Sequence, residues 1–387
     1  MITYGLVFYY RASLSPGRWN KENATSRWYQ DTSYISKNNL SSKAHANSSL
    51  NFLVMSDRLQ LNKIIVKNET DCYHYKFIVY KCDYLRLCGG WGDRQRGIVS
   101  SFLLAMLTGR AFVIDIDKPC SLENILSPNF YDWSVCKTFV KSINNNNTNE
   151  FGFVGGNSFI HDLPNFDFNS NWKWQVVFLR ISSNLIFPLR KHKEARQKFG
   201  WLLDTSMPNI FNVLLQTLFK PTGNVLNYLD QFHELKMKGK SLVCSHIRKG
   251  RNPSIPKDNI FSEIPDETII FNFLKKFTKS SKYVFYLATD SNTVRQAFSR
   301  TFNYSININV TIVHVDRLGK YLMFPEKACK GFKFAIIEQY ILSLCDILIL
   351  TKSGFGRMAA YMRGKPDHLY LLHQKSGRVV LSDLRHI

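Results

Sequence analysis

The sequence predicts an α/β protein built on parallel sheets, and three observations carry that expectation. Short β-branched or aromatic runs alternate with helical segments through the second half, as in a parallel sheet covered on both faces. A glycine-rich turn, an apolar helix and an apolar strand follow one another near residues 88–116, the opening of a Rossmann-like unit. The length of 387 residues suits about two domains, each able to bury its own core.

The elements follow in order. Residues 1–70, rich in Ser, Asn, Lys and Arg, read as a poorly ordered, stem-like leader. Residues 75–80 form a strand, and 88–97 a turn carrying Gly89, Gly90 and Gly92. A helix spans 98–107 and ends at Gly109, and a strand covers 111–116. Residues 120–170 read as an excursion with the Asn run 144–147 at a loop tip. A strand at 174–180 and helices near 193–204 and 208–219 come next. Val225, Tyr228, Leu229, Phe232 and Leu235 recur at helical spacing and define a helix over 224–235. The lysine-rich run 236–240 is the expected linker, giving domains 71–236 and 237–387. The second domain alternates strands at 241–247, 282–288, 309–314, 347–351 and 368–372 with helices at 265–278, 291–302, 331–345 and 354–363. In the helix over 265–278, Ile269, Phe273, Leu274 and Phe277 form one face.

Fifty-one Lys and Arg against 29 Asp and Glu leave a net charge of +22, which favours an anionic partner. The cations are dispersed, with no run of the nucleic-acid-arm kind, so no nucleic acid is expected. None of the eight cysteines forms a C-x-x-C pair, which argues against structural zinc. Glycan acceptor triplets stand at Asn23, Asn39, Asn47, Asn68, Asn146, Asn303 and Asn309. With the cysteines they favour a secretory lumen over the cytosol. Residues 1–10 are apolar but too short to span a bilayer, and no later window reaches the ~18 apolar residues a span needs. Membrane attachment is therefore expected only through an N-terminal anchor that this sequence does not show.

Three polar turns fall at the carboxyl ends of predicted strands, the edge where α/β folds bind ligands. The first carries His246, Arg248, Lys249 and Arg251, and reads either as a phosphate site or as a solvated basic turn. The second holds Thr289, Asp290 and Ser291, which either cap a helix or contact a base or ribose. The third holds Ser353, Gly354, Phe355 and Gly356, a phosphate cradle or a tight strand-to-helix turn. In the first half Gly89, Gly90 and Gly92 permit close backbone approach, and the helix behind them favours an anion. Asp93, Arg94 and Arg96 exclude a dinucleotide G-x-G-x-x-G there.

These motifs, in this order, resemble the superfamily of α1,2-, α1,6- and protein O-fucosyltransferases. His246, Arg248 and Lys249 match its strand-terminal H-x-R-[RK], although Lys249 lacks the guanidinium fork of the doubled-arginine members. Residues 286–290 resemble its second motif. Residues 346–356, preceded by a helix with Glu338, resemble its third, and 89–94 its N-terminal turn. The resemblance covers about residues 76–372. It implies a GT-B-like architecture, two Rossmann-like domains facing across a cleft, with GDP-fucose as donor. It further implies inversion at the sugar, no cofactor and no obligatory metal, and a glycan or glycoprotein acceptor. Under it Arg248 contacts the departing phosphate, and Ser353 with Gly354, Phe355 and Gly356 holds other phosphate oxygens. Asp290 and Ser291 serve the nucleoside side, and His246 and Lys249 brace the loop or diphosphate. Asp93 is the attractive base from the facing turn that holds Arg94, with Glu263 and Asp266 as rivals.

Two other readings stand beside this one. Asp115 and Asp117 form a D-x-D, the metal signature of the other large glycosyltransferase fold, or else acids paired with Lys118 or a helix terminus. The charge also fits a non-catalytic glycan- or nucleic-acid-binding protein, whose binding would fall steeply with salt.

Overall fold

The computed structural model describes residues 64–153, 158–250, 266–306, 308 and 311–387. These belong to one unit, Met55–Ile387. Strand β1 (Phe77–Cys82), helix α1 (Trp91–Thr108) and strand β2 (Ala111–Ile116) open the first half. The short β3 (Leu126–Pro128) leaves the sheet, whereas β4 (Thr148–Phe153) and β5 (Val176–Ile181) rejoin it. The result is a four-stranded parallel sheet in the order β2–β1–β5–β4. Helix α2 (Met207–Leu218) then leads to β6 (Phe219–Pro221), which pairs antiparallel with β3.

Helix α3 (Gly223–Met237) enters the second half, followed by β7 (Ser241–Ile247), α4 (Glu267–Leu274) and β8 (Tyr283–Thr289). Next come α5 (Asn292–Thr301), β9 (Ser305–Ile306), α6 (Pro325–Leu344) and β10 (Ile347–Leu350). Helix α7 (Gly354–Arg363), β11 (Leu369–His373) and β12 (Arg378–Leu381) close the chain. The second sheet runs β12–β11–β10–β7–β8–β9 and is parallel except for the β11–β12 hairpin. Its central strands are continuous apolar runs, as burial on both faces requires: Val243 and Ile247 of β7 pack with Ile270, Leu274, Phe285 and Ile349.

The sequence expectation fails at five places. Residues 91–97 are helix rather than turn, because Gly90 caps α1 and Asp93 closes a capping box onto its backbone N–H. The glycines serve close packing, since a Cβ on Gly97 would sit 1.9 Å from the Ile181 carbonyl oxygen. The excursion at 120–170 conceals β4, a polar edge strand without an apolar run. In the region 309–314, residues 311–314 adopt no regular structure, and residues 309 and 310 lie outside the described residues. Helix α4 buries Ile270, Phe271 and Leu274, while Ile269, Phe273 and Phe277 pack at the margin. In α3 the expected face holds for Val225, Leu229 and Phe232, but Tyr228 is exposed.

All eight cysteines pair, as Cys72–Cys136, Cys82–Cys88, Cys120–Cys329 and Cys244–Cys345. Cys82–Cys88 closes the loop between β1 and α1, and Cys120–Cys329 joins segments 209 residues apart. Among the described residues no helix is long and apolar enough to cross a membrane. Asn68, Asn146 and Asn303 are exposed, whereas Asn23, Asn39, Asn47 and Asn309, like residues 1–63 of the leader, lie outside the described residues.

Candidate functional site

Two helix N-termini meet at one cleft. The first turn of α1 lies so close to the first turn of α7 that a Cβ on Gly92 would stand 2.7 Å from the Gly354 carbonyl. Gln339 of α6, fully buried, locks this junction. It accepts from Trp91 Nε1 and Gln95 Nε2 at 2.8 Å each and donates to the Phe355 carbonyl oxygen at 3.1 Å. Both helices thereby bring the positive end of a dipole to the same space.

The carboxyl ends of β7 and β8 supply the floor. Arg248 follows β7; its N–H donates to Thr351 Oγ1 at 2.9 Å, and its guanidinium pairs with Asp290. Asp290 also accepts from the backbone N–H of Lys249 at 2.7 Å and of Gly250 at 3.0 Å, so its carboxylate shapes the arginine loop. His246 is buried with its Nδ1 unpartnered among the described residues. Burial, aided by Arg248, pushes its pKa down to about 3, so the ring is neutral. Gly356 permits this placement, because a Cβ there would come 2.8 Å from His246 Nδ1.

The cleft has a volume of about 820 Å³ and takes its walls from α1, α6, α7, β8 and residues 311–315. Arg96, Arg248, Arg295, Lys352, Arg357 and Lys375 line it, against the carboxylates of Asp93, Asp290 and Glu338. Burial lifts Glu338 from 4.5 to about 7, with Arg295 Nη2 only 3.7 Å from Glu338 Oε1. Arg295 also reaches the Thr289 carbonyl oxygen at 3.4 Å.

The sequence-predicted residues divide accordingly. His246, Arg248, Asp290, Ser353, Gly354 and Phe355 line the cleft from one side, and Gly90, Gly92 and Asp93 from the other. Ser353 caps α7, accepting from the Phe355 N–H at 3.2 Å. Asp93 faces the cleft with one oxygen on the Gly90 N–H at 3.0 Å and the other on Arg96.

Five residues stand apart from the lining. Lys249 turns its ammonium to Glu267. Ser291 caps α5, accepting from the Val294 N–H at 3.4 Å. Gly356 supports His246 from below, and Gly89, at φ 83°, makes the turn before α1. Arg94 is a buried rivet whose guanidinium donates to the carbonyl oxygens of Gly89, Lys118 and Val315. Of the rival bases, Asp266 caps α4 away from the cleft, and Glu263 lies outside the described residues, as does Arg251. Asp115 and Asp117 also stand apart: Lys137 and Lys141 hold them at 3.1–3.6 Å, while Lys118 pairs with Asp316.

Sequence reasoning missed Arg96, Arg295, Lys352, Arg357 and Gln339. The signal for Arg96 and Arg357 was present: each lies within two turns of a glycine-marked helix start.

No family model and no curated protein matches the chain at the level of sequence. Solved structures do match. The GDP complex of an Arabidopsis thaliana FUT1 mutant has a TM-score of 0.51 at 13% identity, covering 91% of this chain and 78% of that one. NodZ alpha-1,6-fucosyltransferase soaked with GDP-fucose has a TM-score of 0.51 at 13% identity, covering 80% and 99%. Fucosyltransferase NodZ from Bradyrhizobium has a TM-score of 0.50 at 13% identity over the same shares, 80% and 99%. The chain is thus an α/β protein of the parallel-sheet class these enzymes define. Its fold is the one it shares with these solved fucosyltransferase structures.

Proposed function

We propose that the chain is an inverting glycosyltransferase that moves fucose from GDP-fucose to a hydroxyl of a glycan or glycoprotein. The observation that carries the reading is the convergence of two helix N-termini with Arg248 on a cleft where six cationic side chains face three carboxylates. That surplus of positive charge suits a diphosphate. A GT-B arrangement follows, with the donor on the β7–β8–α7 side and the acceptor entering from the α1 side.

In the reaction the bond from sugar C1 to the β-phosphate oxygen breaks, and its electron pair stays on the phosphate. Arg248, Lys352 and the N–H group at Gly354 receive that charge, while His246 and Ser353, the latter through the Phe355 N–H, hold the turn that aims them. The acceptor oxygen bonds to C1 from the opposite face, and its proton leaves to a base. Asp93 is our assignment for that base, since it faces the cleft from α1. Asp93→Asn separates this role from capping: an amide oxygen still accepts the Gly90 N–H but takes no proton, so transfer should fall while the melting temperature holds. We assign guanine recognition to Glu338 in preference to Asp290, whose carboxylate is committed to the arginine loop. A buried carboxylate matches the adjacent N1–H and N2–H donors that guanine alone among the common bases presents.

The four disulfides support an oxidising compartment, and the Golgi lumen is the proposed site of action. A thermal-shift panel tests the donor. GDP and GDP-fucose should stabilise the chain by about 2.7 kcal/mol at a hundredfold excess over Kd, with UDP inert. Stabilisation by UDP, or transfer that stops on addition of EDTA, would overturn the donor and mechanism proposed.

A further inference from the structure

Two arginines of the cleft have no part in the proposed departure of the diphosphate. Arg96 of α1 and Arg357 of α7 both line it, and both are partly buried. Neither is spent on the fold as other arginines of these helices are. Arg94 donates to the carbonyl oxygens of Gly89, Lys118 and Val315, and Arg363 to those of Cys345, Asp346, Lys365 and Asp367. Arg357 makes no side-chain hydrogen bond or ion pair among the described residues. Arg96 meets Asp93 through Nη2, while its Nε is buried without a hydrogen-bond partner among the described residues.

The two guanidiniums rise from turns that touch. A Cβ on Gly92 would strike the Gly354 carbonyl, and one on Gly354 would stand 3.8 Å from Asp93 Oδ1, the oxygen that Arg96 holds. Residues one turn apart share a helix face, so Arg96 follows Gly92 and Arg357 follows Gly354 toward the same junction. Both also act on one hydroxyl: burial raises the Tyr361 pKa, and Arg357 and Arg96 oppose that rise. The other carboxylates of the lining, Asp290 and Glu338, are paired with Arg248 and Arg295. Asp93 is therefore left to balance two guanidiniums, and the excess charge favours an anion beside it.

We infer that the acceptor is an acidic glycan, and that Arg96 and Arg357 bind a carboxylate or sulfate on it next to the hydroxyl that receives fucose. The inference rests on the reading that the acceptor enters from the α1 side with Asp93 as base. The reacting hydroxyl meets Asp93, so a group bound to the arginine that Asp93 holds belongs to the acceptor and lies close to that hydroxyl. Guanidinium forks of N–H donors fit the paired oxygens of a carboxylate or sulfate.

Binding of short oligosaccharides to the full chain, with GDP saturating, tests this. The probes are a galacturonate tetrasaccharide against its methyl ester, and a sulfated galactan tetrasaccharide against its desulfated form. Wild type should bind one acidic probe at least about tenfold more tightly than its neutral counterpart, the scale of a charge-assisted hydrogen bond. The arm that responds separates carboxylate from sulfate. Arg357→Gln should bring the ratio to within about twofold and keep its melting temperature and GDP-induced thermal shift. Arg96→Gln should lose the preference as well. Lys279→Gln removes the same charge at an exposed position outside the cleft lining and should leave the ratio unchanged.

Equal binding of acidic and neutral probes in both arms overturns the proposal. An equal fall in Lys279→Gln marks general attraction to a chain of net charge +22 and overturns it too. Loss of the GDP-induced shift in Arg357→Gln assigns that arginine to the diphosphate, with the same result. Acid preference that Arg357→Gln abolishes, in a wild type indifferent to GDP, sustains the acidic site and overturns the donor reading instead.

Discussion

The N-termini of α1 and α7 face the same cleft yet are built differently. Helix α7 starts directly at the end of a buried parallel strand, and Ser353 caps it with a short side chain that leaves its first N–H groups toward the cleft. Helix α1 starts after a disulfide-closed loop and is capped by its own third residue, Asp93, which also holds Arg96. One end is open to an anion, and the other carries its own carboxylate. The difference teaches a division of labour: α7 with Arg248 suits departing negative charge, and α1 suits a group that takes a proton.

The comparison can be broken on the α7 side first. Arg248→Ala should lower kcat/KM with GDP-fucose by about a hundredfold or more, the scale of losing a donor to developing oxyanion charge. Its fold should persist, because Asp290 keeps the N–H groups of Lys249 and Gly250. Activity near wild type in steady-state assays would refute the phosphate assignment.

The contact between the two ends comes next. Gly92→Ala forces a methyl against the Gly354 carbonyl and should cost about 1–3 kcal/mol in denaturant titration, as overpacking does. Activity should fall further than stability explains, because α7 is pushed out of line. Gln339→Leu removes the partner of Trp91 Nε1 and Gln95 and should cost about 1–3 kcal/mol.

A pH profile sharpens the role of Glu338. Its folded pKa of about 7 lies above the ordinary 4.5, so the fold holds a proton that the unfolded chain releases between those values. Stability from the protonated side chain is complete below pH 4.5 and is lost as pH rises to about 7. Glu338→Gln should flatten that fall in urea titrations. Under the proposed guanine contact, GDP affinity uses the carboxylate and should instead weaken in wild type as pH drops below 7.

The smallest effect belongs to Asp117→Asn. It loosens an exposed ion pair with Lys141 and should change stability by less than about 1 kcal/mol, with unchanged turnover in EDTA.

The β7–β8–β10 side of the cleft was largely legible because there local chemistry and strand pattern coincide. A buried strand followed by Arg248, or by Ser353, announces the element and sets those residues at the cleft. Strand β7 was placed residue for residue. Helix α1 was misread at its start because Gly92 and Gly97 answer to partners distant in sequence, Gly354 and Ile181. Glycine reads locally as a turn. Arg94 illustrates the same limit. Among adjacent charged residues nothing local tells a rivet bound to carbonyl oxygens from a cleft-lining side chain such as Arg96. Lys249 and Ser291 lay in the right loops, but their side chains meet Glu267 and the Val294 N–H.

The lock at Gln339 has a consequence for how the molecule comes to exist. Its partners Gln95 and Trp91 are 244 and 248 residues away, and Cys329 waits 209 residues for Cys120. Contacts of such separation form late in folding. During synthesis the polar edge of α1 must therefore remain in water until almost the whole chain has emerged. The cleft comes into being only when α6 and α7 have been made, so a chain stopped before α6 has no complete cleft.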